Sequence, residues 1–227
     1  MRRTTVVTVA VLLAGLAQTA ASQTCLGGLS FRNNPTQLDA SVGLGNDALT
    51  FSGGATFGAA NGPFASVGAG YTIIDAADLF DDDPTGFSVG GTIGFAASAA
   101  GEGKWEFCPL AGLGWTSVSG DVLGENVTLE LISFQFGAAF GFVLPSSGST
   151  SVIPFAGLSY ARVDGTIEGG GESFDLDADT YTPGTFGVGI AFNRNVSIRG
   201  AVEVPFGLEG ADPTFHFGIS FGLGGRP

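Results

Sequence analysis

The sequence predicts an all-β protein, an antiparallel up-and-down transmembrane β-barrel of about ten strands. Three observations lead to this fold class: large apolar residues recur at every second position, small residues lie between them, and the chain starts with an export signal. The stretch "FHFGISFGL", near the end of the 227 residues, shows the first two. A period of two places Phe215, Phe217 and Phe221 on one face of a strand, with Gly218 and Ser220 on the other.

The first residues have the layout of a secretory signal peptide. In "MRRTTVVTVAVLLAGLAQTAASQTC", two arginines precede an apolar run and small residues follow it. We expect cleavage near Ala21 or Ser22. The run is too short to span ~30 Å of hydrocarbon as a helix. The predicted divisions are the signal peptide (1–22), an N-terminal periplasmic segment or partial plug (23–36), the outer-membrane barrel (37–223) and a C-terminal tail (224–227).

The first five strands are alternating runs that end at turn signals. The turns between them are Asn46-Asp47, "AANGP", the long acidic "DAADLFDDDPTG" and the short "SAAGEG". Gly, Asn, Asp and Pro in these turns favour the backbone conformations that reverse a chain. The runs are "TQLDASVGLG", "ALTFSGGATFG", "FASVGAGYTII", "FSVGGTIGFAA" and "KWEFCPLAGLGW".

The last five strands continue the same pattern. A longer connection, over about residues 117–126, precedes them, and a long acidic stretch over 164–179 lies among them. The connections "PSSGST" and "NRN" are short. The runs are "ISFQFGAAFGFVL", "VIPFAGLSYARV", "YTPGTFGVGIAF", "VSIRGAVEV" and "FHFGISFGL".

Short and longer connections alternate, except that Asn46-Asp47 replaces the first long one. An even strand number returns both termini to the side of the short turns, which is the layout of a bacterial outer-membrane barrel. The segments "GPFASVGAGY", "CPLAGLGW" and "IPFAGLSY" recur about 45 residues apart, as one strand–loop–strand–turn unit would. An eight-stranded barrel that starts at Phe64, with the first hairpin folded separately, remains the alternative.

The residues opposite the apolar face indicate which solvent that face meets. In a soluble β-sandwich the second face meets water and carries charge; here it holds Gly, Ser, Thr and Ala, and the charges concentrate in the loops. Lipid outside and a narrow lumen inside explain this pattern better than a soluble exported sandwich does. Aromatic residues near predicted strand ends would form the interfacial belt. They are Tyr71, Trp105, Trp115, Tyr160 and Tyr181.

Together these features resemble the small bacterial outer-membrane β-barrel proteins, the OmpA-like, OmpX-like and OmpW-like group. The resemblance covers residues 36–223 and rests on the signal peptide, the alternating aromatic strands, the "PFAGLSY"-type strands and the phenylalanine-rich last strand. The family's terminal strand usually ends the chain on an aromatic residue, whereas "GLGGRP" follows Phe221 here. The resemblance implies a structural protein, narrow channel or surface contact without enzymatic activity, inserted by the barrel-assembly machinery.

The two long acidic connections contain no Lys or Arg. The predicted topology places both at the cell exterior. In an extended strand, Asp175, Asp177 and Asp179 would share one face, and carboxylate oxygens are the ligands that Ca²⁺ prefers. A weak Ca²⁺ site, bridging to lipopolysaccharide, is one interpretation. A solvated acidic rim is the other.

Cys25 and Cys108 are the two cysteines of the chain. Export to an oxidising compartment favours a disulfide between them. The alternation places Cys108 on the lumen face near the short turns, so a disulfide would hold the segment before the first strand across the periplasmic mouth. Two unpaired thiols are the alternative.

The lumen face also carries charged residues, which need partners when they are buried. We expect Arg199 to pair with Glu203 or Glu106 across strands, in a network that blocks the lumen or tunes a narrow pore. The network comprises Asp39, Glu106, Arg199, Glu203 and His216.

Several classes of function are disfavoured. The net charge of −13 argues against nucleic-acid binding. Lipid A deacylases use a His and a Ser near the last strand, but the spacing of His216 and Ser220 is wider and no orienting carboxylate is identifiable, as nucleophilic catalysis requires. The sequence therefore predicts a non-enzymatic barrel without a cofactor, in contact with outer-membrane lipid and lipopolysaccharide, with a structural or surface role. A porin-like narrow diffusion channel for small solutes is the alternative.

Overall fold

The computed structural model describes residues 24–31, 34–75, 83–98, 105–122, 125–145, 149–208 and 210–223. The predicted signal peptide and C-terminal tail lie outside these ranges, as does most of the first acidic connection. Among the described residues, no helix is long and apolar enough to cross a membrane.

The described chain consists almost entirely of β-strands, after a short 3-10 turn at Thr24–Leu26. Every strand pairing in the sheet is antiparallel. The strands are β1 (Thr36–Leu44), β2 (Ala48–Gly58), β3 (Pro63–Ile74), β4 (Thr85–Phe95), β5 (Ala97–Ser98), β6 (Trp105–Val122), β7 (Glu125–Phe142), β8 (Leu144–Pro145), β9 (Ser151–Gly169), β10 (Glu172–Ala191), β11 (Val196–Phe206) and β12 (Thr214–Leu223).

The sheet closes on itself, which confirms the predicted up-and-down barrel. Neighbouring long strands pair in chain order, and β1 pairs with β12 from Thr36↔Leu223 to Leu44↔Phe215. Ten long strands thus form the wall, while β5 and β8 add two-residue ladders to β6 and β9. The eight-stranded alternative is wrong, because the β1–β2 hairpin lies in the wall between β12 and β3.

The apolar face of the strands points out of the barrel and the small face points in. Phe215 and Phe217 are 54% and 55% exposed, whereas Ser220 is buried. The inner wall is crowded: a Cβ on Gly137 would collide with Leu158 and Ser159. Large apolar side chains outside and small ones inside confirm the solvent assignment made from the alternation.

The two ends of the barrel differ. We call the end where residues 59–62 and 192–195 connect strands, and where β1 starts and β12 ends, the short-turn end. The opposite end is the long-hairpin end, because β6 and β7 have 18 residues each, β9 has 19 and β10 has 20. About 9–11 tilted residues suffice to span a bilayer. These four strands therefore continue well beyond the rest of the wall.

These long strands correct the predicted connections over 117–126 and 164–179, which are mostly strand. Gly170 and Gly171 both have positive φ and form a two-residue turn of the type that closes tight hairpins. Acidic residues indicated a loop because charge is costly on a lipid-facing strand. Beyond the membrane both faces of a strand meet water, so the same composition is compatible with strand.

One residue of the predicted aromatic belt is also corrected. Tyr181 points into the barrel and is 5% exposed. Tyr71, Trp105 and Tyr160 keep 39–47% of their surface exposed on the outer face. Tyr181 pairs with the buried Ala161 and lies five residues before the outward-facing Phe186, so the period of two along β10 places it on the inner face.

A closed barrel predicts heat-modifiable mobility. The unboiled protein should migrate differently from the boiled protein on an SDS gel, because a sheet without edges resists the detergent until it is heated. A protein that shows one mobility under both conditions and appears in the soluble periplasmic fraction would contradict the membrane barrel.

The lipid-facing assignment of β12 predicts a strong substitution effect. Phe217→Lys should lower the free energy of unfolding in lipid by about 2–4 kcal/mol, the cost of a cation facing hydrocarbon on a barrel wall. Phe174→Lys is the matched control, since Phe174 is exposed but lies beyond the wall, and it should change stability little. Urea titration in lipid vesicles measures both variants, and equal losses would contradict the assignment.

Candidate functional site

The lumen is the candidate functional site, and the segment that precedes β1 occupies its short-turn end. The 3-10 turn at Thr24–Leu26 packs against β6, β7 and β9 from inside. Cys25 and Cys108 form a disulfide with a Cα–Cα distance of 6.1 Å, and both are fully buried. Cys108 lies on the inner face of β6, opposite Ala139 of β7. The predicted disulfide is therefore present, and it fixes the segment to the wall.

Apolar side chains pack this segment into the barrel. Phe31 lies 6.0 Å from Phe64, ring centroid to ring centroid, and both are buried. Phe64 is one of two buried phenylalanines on the inner face of the described strands, and the absent Cβ of Gly94 makes room for its ring. The other, Phe155, lies against Gly27. These rings depart from the small-residue pattern where the segment needs a surface to pack on.

Glycines of the wall allow the segment to approach closely. A Cβ on Gly189 would collide with the backbone of Gly27, which itself has φ +78°. A Cβ on Gly58 would lie 2.7 Å from the ring of Phe31, and one on Gly222 would collide with Asn34. The segment thus contacts the wall at both β2 and β12 as well as through the disulfide.

Hydrogen bonds complete the attachment. The backbone N–H of Cys25 donates to Glu106 at 3.3 Å. The amide of Gln37 donates to the carbonyl of Leu29 at 2.9 Å, and the amide of Asn34 donates to the carbonyl of Arg194 in the turn before β11. The predicted lumen residue Glu106 therefore binds the N-terminal segment. Sequence reasoning placed Glu106 on the correct face but did not foresee this hydrogen bond.

The middle of the lumen contains a polar cluster centred on Asp39. Ser220 donates to Asp39 at 2.6 Å across the β1–β12 pair. Arg199 of β11 passes Gly218, whose Cβ would lie 3.1 Å from Nε, and the charge of Asp39 acts on its guanidinium. The expected partners of Arg199 were Glu203 and Glu106. Gly218 provides a path across β12 that brings Arg199 towards Asp39, and its pairing with Glu203 or Glu106 stays a prediction.

The other two residues of the predicted network lie around this cluster. His216 lies on the inner face between Gly43 and Ala201, where the charge of Arg199 acts on it. Glu203 is buried, and the side chain of Thr185 is its hydrogen-bond partner. The structure thus places His216 beside the Asp39–Arg199 pair and Glu203 nearer the long-hairpin end.

An apolar layer crosses the lumen at the long-hairpin end. The layer is made of buried side chains that face inward from five strands, with Leu129 and Leu208 packed against them. Sequence reasoning missed the layer, although Leu131 of β7 and Val163 of β9 are large residues at inward positions. The layer consists of Ile74, Val118, Leu131, Ala161, Val163 and Tyr181.

The acidic residues of β10 do not form the predicted shared face. Leu176 pairs with Gly165 and Asp179 with Val163, so the register shift leaves Asp175 and Asp179 on opposite faces. Asp175 instead accepts a hydrogen bond from Thr166 at 3.3 Å. Ca²⁺ binding by Asp175, Asp177 and Asp179 stays a prediction, without the geometry that suggested it.

One described cluster brings metal-ligand atoms together, at the disulfide. The ligand atoms of Cys25, Glu106 and Cys108 lie within 4.8 Å of one another. Both sulfurs are joined in the disulfide and offer no thiolate, which is the form that binds metal. The cluster therefore serves as an attachment point. Further out, Arg162 donates to Asp164 at 3.0 Å and lowers the pKa of that exposed carboxyl.

Removal of the disulfide should destabilise the barrel. The double variant Cys25→Ser, Cys108→Ser should lose about 2–5 kcal/mol of unfolding free energy, because the crosslink closes a loop with a sequence separation of 83 residues. Urea titration with and without reductant measures this loss. Wild-type protein under reductant is the control, and the buried disulfide should resist reduction while the barrel stays folded. Equal stability of the variant and wild type would contradict this role.

The Asp39–Arg199 pair gives a double-mutant prediction. Asp39→Asn should cost about 3–5 kcal/mol, since it removes the buried carboxylate whose charge acts on the guanidinium of Arg199. In the Arg199→Met background the same change should cost much less. Unfolding free energies of the four proteins test the coupling, and additive losses would show that the two residues do not interact.

The comparisons with known proteins bear on the fold. No protein-family model and no curated protein matches the chain. Among solved structures, the translocator domain of autotransporter NalP from Neisseria meningitidis has a TM-score of 0.50 and 12% identity, with 82% of this chain and 86% of that one covered. LpxR from Salmonella typhimurium has a TM-score of 0.48 at 12% identity, over 82% of this chain and all of that one (100%). The chain has the fold of a small outer-membrane β-barrel.

Proposed function

We propose that this protein is a non-enzymatic outer-membrane barrel with a closed lumen and a structural or surface-interaction role. The observation that carries the proposal is the content of the lumen. The N-terminal segment is crosslinked into the short-turn end, a polar cluster occupies the middle, and an apolar layer crosses the long-hairpin end. Three successive layers of side chains leave little room for a solute.

The polar cluster supports a structural rather than a catalytic role. Ser220 donates to Asp39, so its hydroxyl hydrogen is directed to a carboxylate rather than to a histidine base. A serine nucleophile needs a base within hydrogen-bond reach of that hydrogen. The cluster also lies inside the barrel, whereas lipid is outside. The polar cluster therefore serves to fill the lumen and to hold neighbouring strands of the wall together.

The orientation follows from the export signal and the strand ends. In this proposal the short-turn end faces the periplasm and the long-hairpin end faces the cell exterior, as in bacterial barrels with short periplasmic turns. The projecting strands then present acidic side chains to the medium. Contact with lipopolysaccharide, bridged by divalent cations at these carboxylates, belongs to the same proposal.

A narrow diffusion channel is the second candidate. One observation favours it: the inner wall also carries hydroxyl side chains, such as the hydrogen-bonded pair Thr50 and Thr72 at 2.9 Å. Small polar residues of this kind line water-filled barrels. The channel would then conduct only after the N-terminal segment moved, since that segment lies across the short-turn end.

Planar-bilayer conductance distinguishes the two candidates. The closed barrel should give no steady ion current, in wild type or under reductant. A truncated variant that lacks residues 23–35 tests whether the segment is the closing element. Heat-modifiable mobility serves as the folding control for each protein. Steady single-channel current from the wild-type barrel would overturn the closed-lumen proposal in favour of the channel.

A further inference from the structure

The projecting part of β10 has a strand edge without a partner among the described residues. β10 pairs with β9 from Glu172 onwards, but with β11 only from Thr182, which pairs with Phe206. Residues 172–180 therefore have a neighbouring strand on one side only. The other border of the projection is shorter: β4 follows β6 as far as Ser119, which leaves residues 120–122.

The hairpin geometry indicates which backbone groups face this edge. Gly170 and Gly171 form a two-residue turn closed by the pair Gly169↔Glu172. Such a turn is closed by a hydrogen-bonded pair, and hydrogen-bonded and non-hydrogen-bonded pairs alternate along an antiparallel ladder. The N–H and C=O groups of Ser173 and Asp175 therefore point away from β9, towards the open side.

A hydrogen bond near the base of the edge agrees with this arrangement. The N–H of Thr180 donates to the carboxylate of Asp179 at 2.7 Å. Side chains bind backbone groups locally in this way where the backbone could otherwise pair with a strand. The strand thus continues over residues 172–180, most of which are exposed, and part of its backbone is available to a partner.

The side chains of the edge define the chemistry of the partner. Asp175 lies on the outward face, and Phe174 and Leu176 lie on the opposite face, where Phe174 is 57% exposed. Residues 172–180 contain four carboxylates and no Lys or Arg. A second copy of this strand would bring like charges together, which is destabilising for directly opposed residues. A strand that alternates basic and apolar residues would match both faces.

We propose that residues 172–180 of β10 are a docking edge for an extended basic polypeptide segment, which binds by adding a strand to the projecting sheet. Backbone hydrogen bonds at Ser173 and Asp175 provide affinity, as in other cases of strand addition. The carboxylates select lysine- or arginine-rich segments and reject copies of this chain. The inference deepens the proposed surface role and rests on it, since the edge must face the cell exterior.

Peptide binding to the whole barrel in detergent micelles tests the docking edge. The probe is a short fluorescent peptide that alternates lysine and valine, measured by anisotropy at two salt concentrations. Its controls are the same peptide with prolines in place of the central valines, and a glutamate version. We expect the strand-forming basic peptide to bind about tenfold more tightly than the proline peptide of equal charge. Equal binding of the two would overturn the proposal and indicate charge attraction alone.

Paired variants locate the binding at the edge. Ser173→Pro removes an N–H on the open side and should weaken binding about tenfold, while Ser173→Thr retains that N–H and should bind as wild type does. Asp175→Asn should weaken binding and reduce its salt dependence, whereas Asp121→Asn, near the other border, should not. Heat-modifiable mobility confirms that each variant is folded. Unchanged binding by Ser173→Pro would overturn the proposal.

Hydrogen exchange provides a direct readout. Bound peptide should slow amide exchange in the fragment that contains residues 172–181 and leave the wall strands unchanged. Protection elsewhere, without protection of this fragment, would contradict the assignment. The outcome is separate from that of the conductance measurement, since a conducting barrel can still bind the peptide and a closed barrel can fail to bind it.

Discussion

The pairing of β1 with β12 is the constraint on which the rest of the structure depends. In hydrocarbon, each backbone N–H and C=O needs a protein partner, and an open sheet would leave two edges without one. Nine paired residues from Thr36 to Leu44 close the ring. Closure then imposes the two faces: large apolar side chains meet lipid, and small ones fit the limited space inside.

A ring of ten strands encloses more space than small side chains fill, and the protein fills this space in three different ways. Near the short turns it inserts its own N-terminal segment, which wall glycines such as Gly189 and Gly58 allow to approach closely. At mid-height, Ser220 donates to Asp39, whose charge acts on Arg199 across β12. At the other end, Leu131 and Tyr181 belong to an apolar layer. The lumen is thus filled by a covalently attached segment near the short turns, by charged and polar side chains in the middle, and by apolar packing at the other end.

Beyond the wall the constraint no longer applies. β10 continues past the end of β11, so one edge of the sheet meets solvent instead of a neighbouring strand. Acidic side chains are compatible with this environment, and they also limit pairing between copies of the chain. Unpaired backbone groups are costly in lipid, but water can hydrogen-bond to them beyond the membrane. This edge is the surface on which a partner of opposite charge can add a strand.

The sequence by itself determined the periodic features of this protein. Alternation located ten strands and their two faces, because the side-chain period of a strand is a local property. Export to an oxidising compartment, and the position of Cys108 on the lumen face, indicated the Cys25–Cys108 disulfide. Only the tertiary structure decided which side chains meet across neighbouring strands. The register shift after Leu176 placed Asp175 and Asp179 on opposite faces, and the path past Gly218 brought Arg199 towards Asp39. Both outcomes depend on how neighbouring strands align, and a single strand's sequence does not contain that alignment.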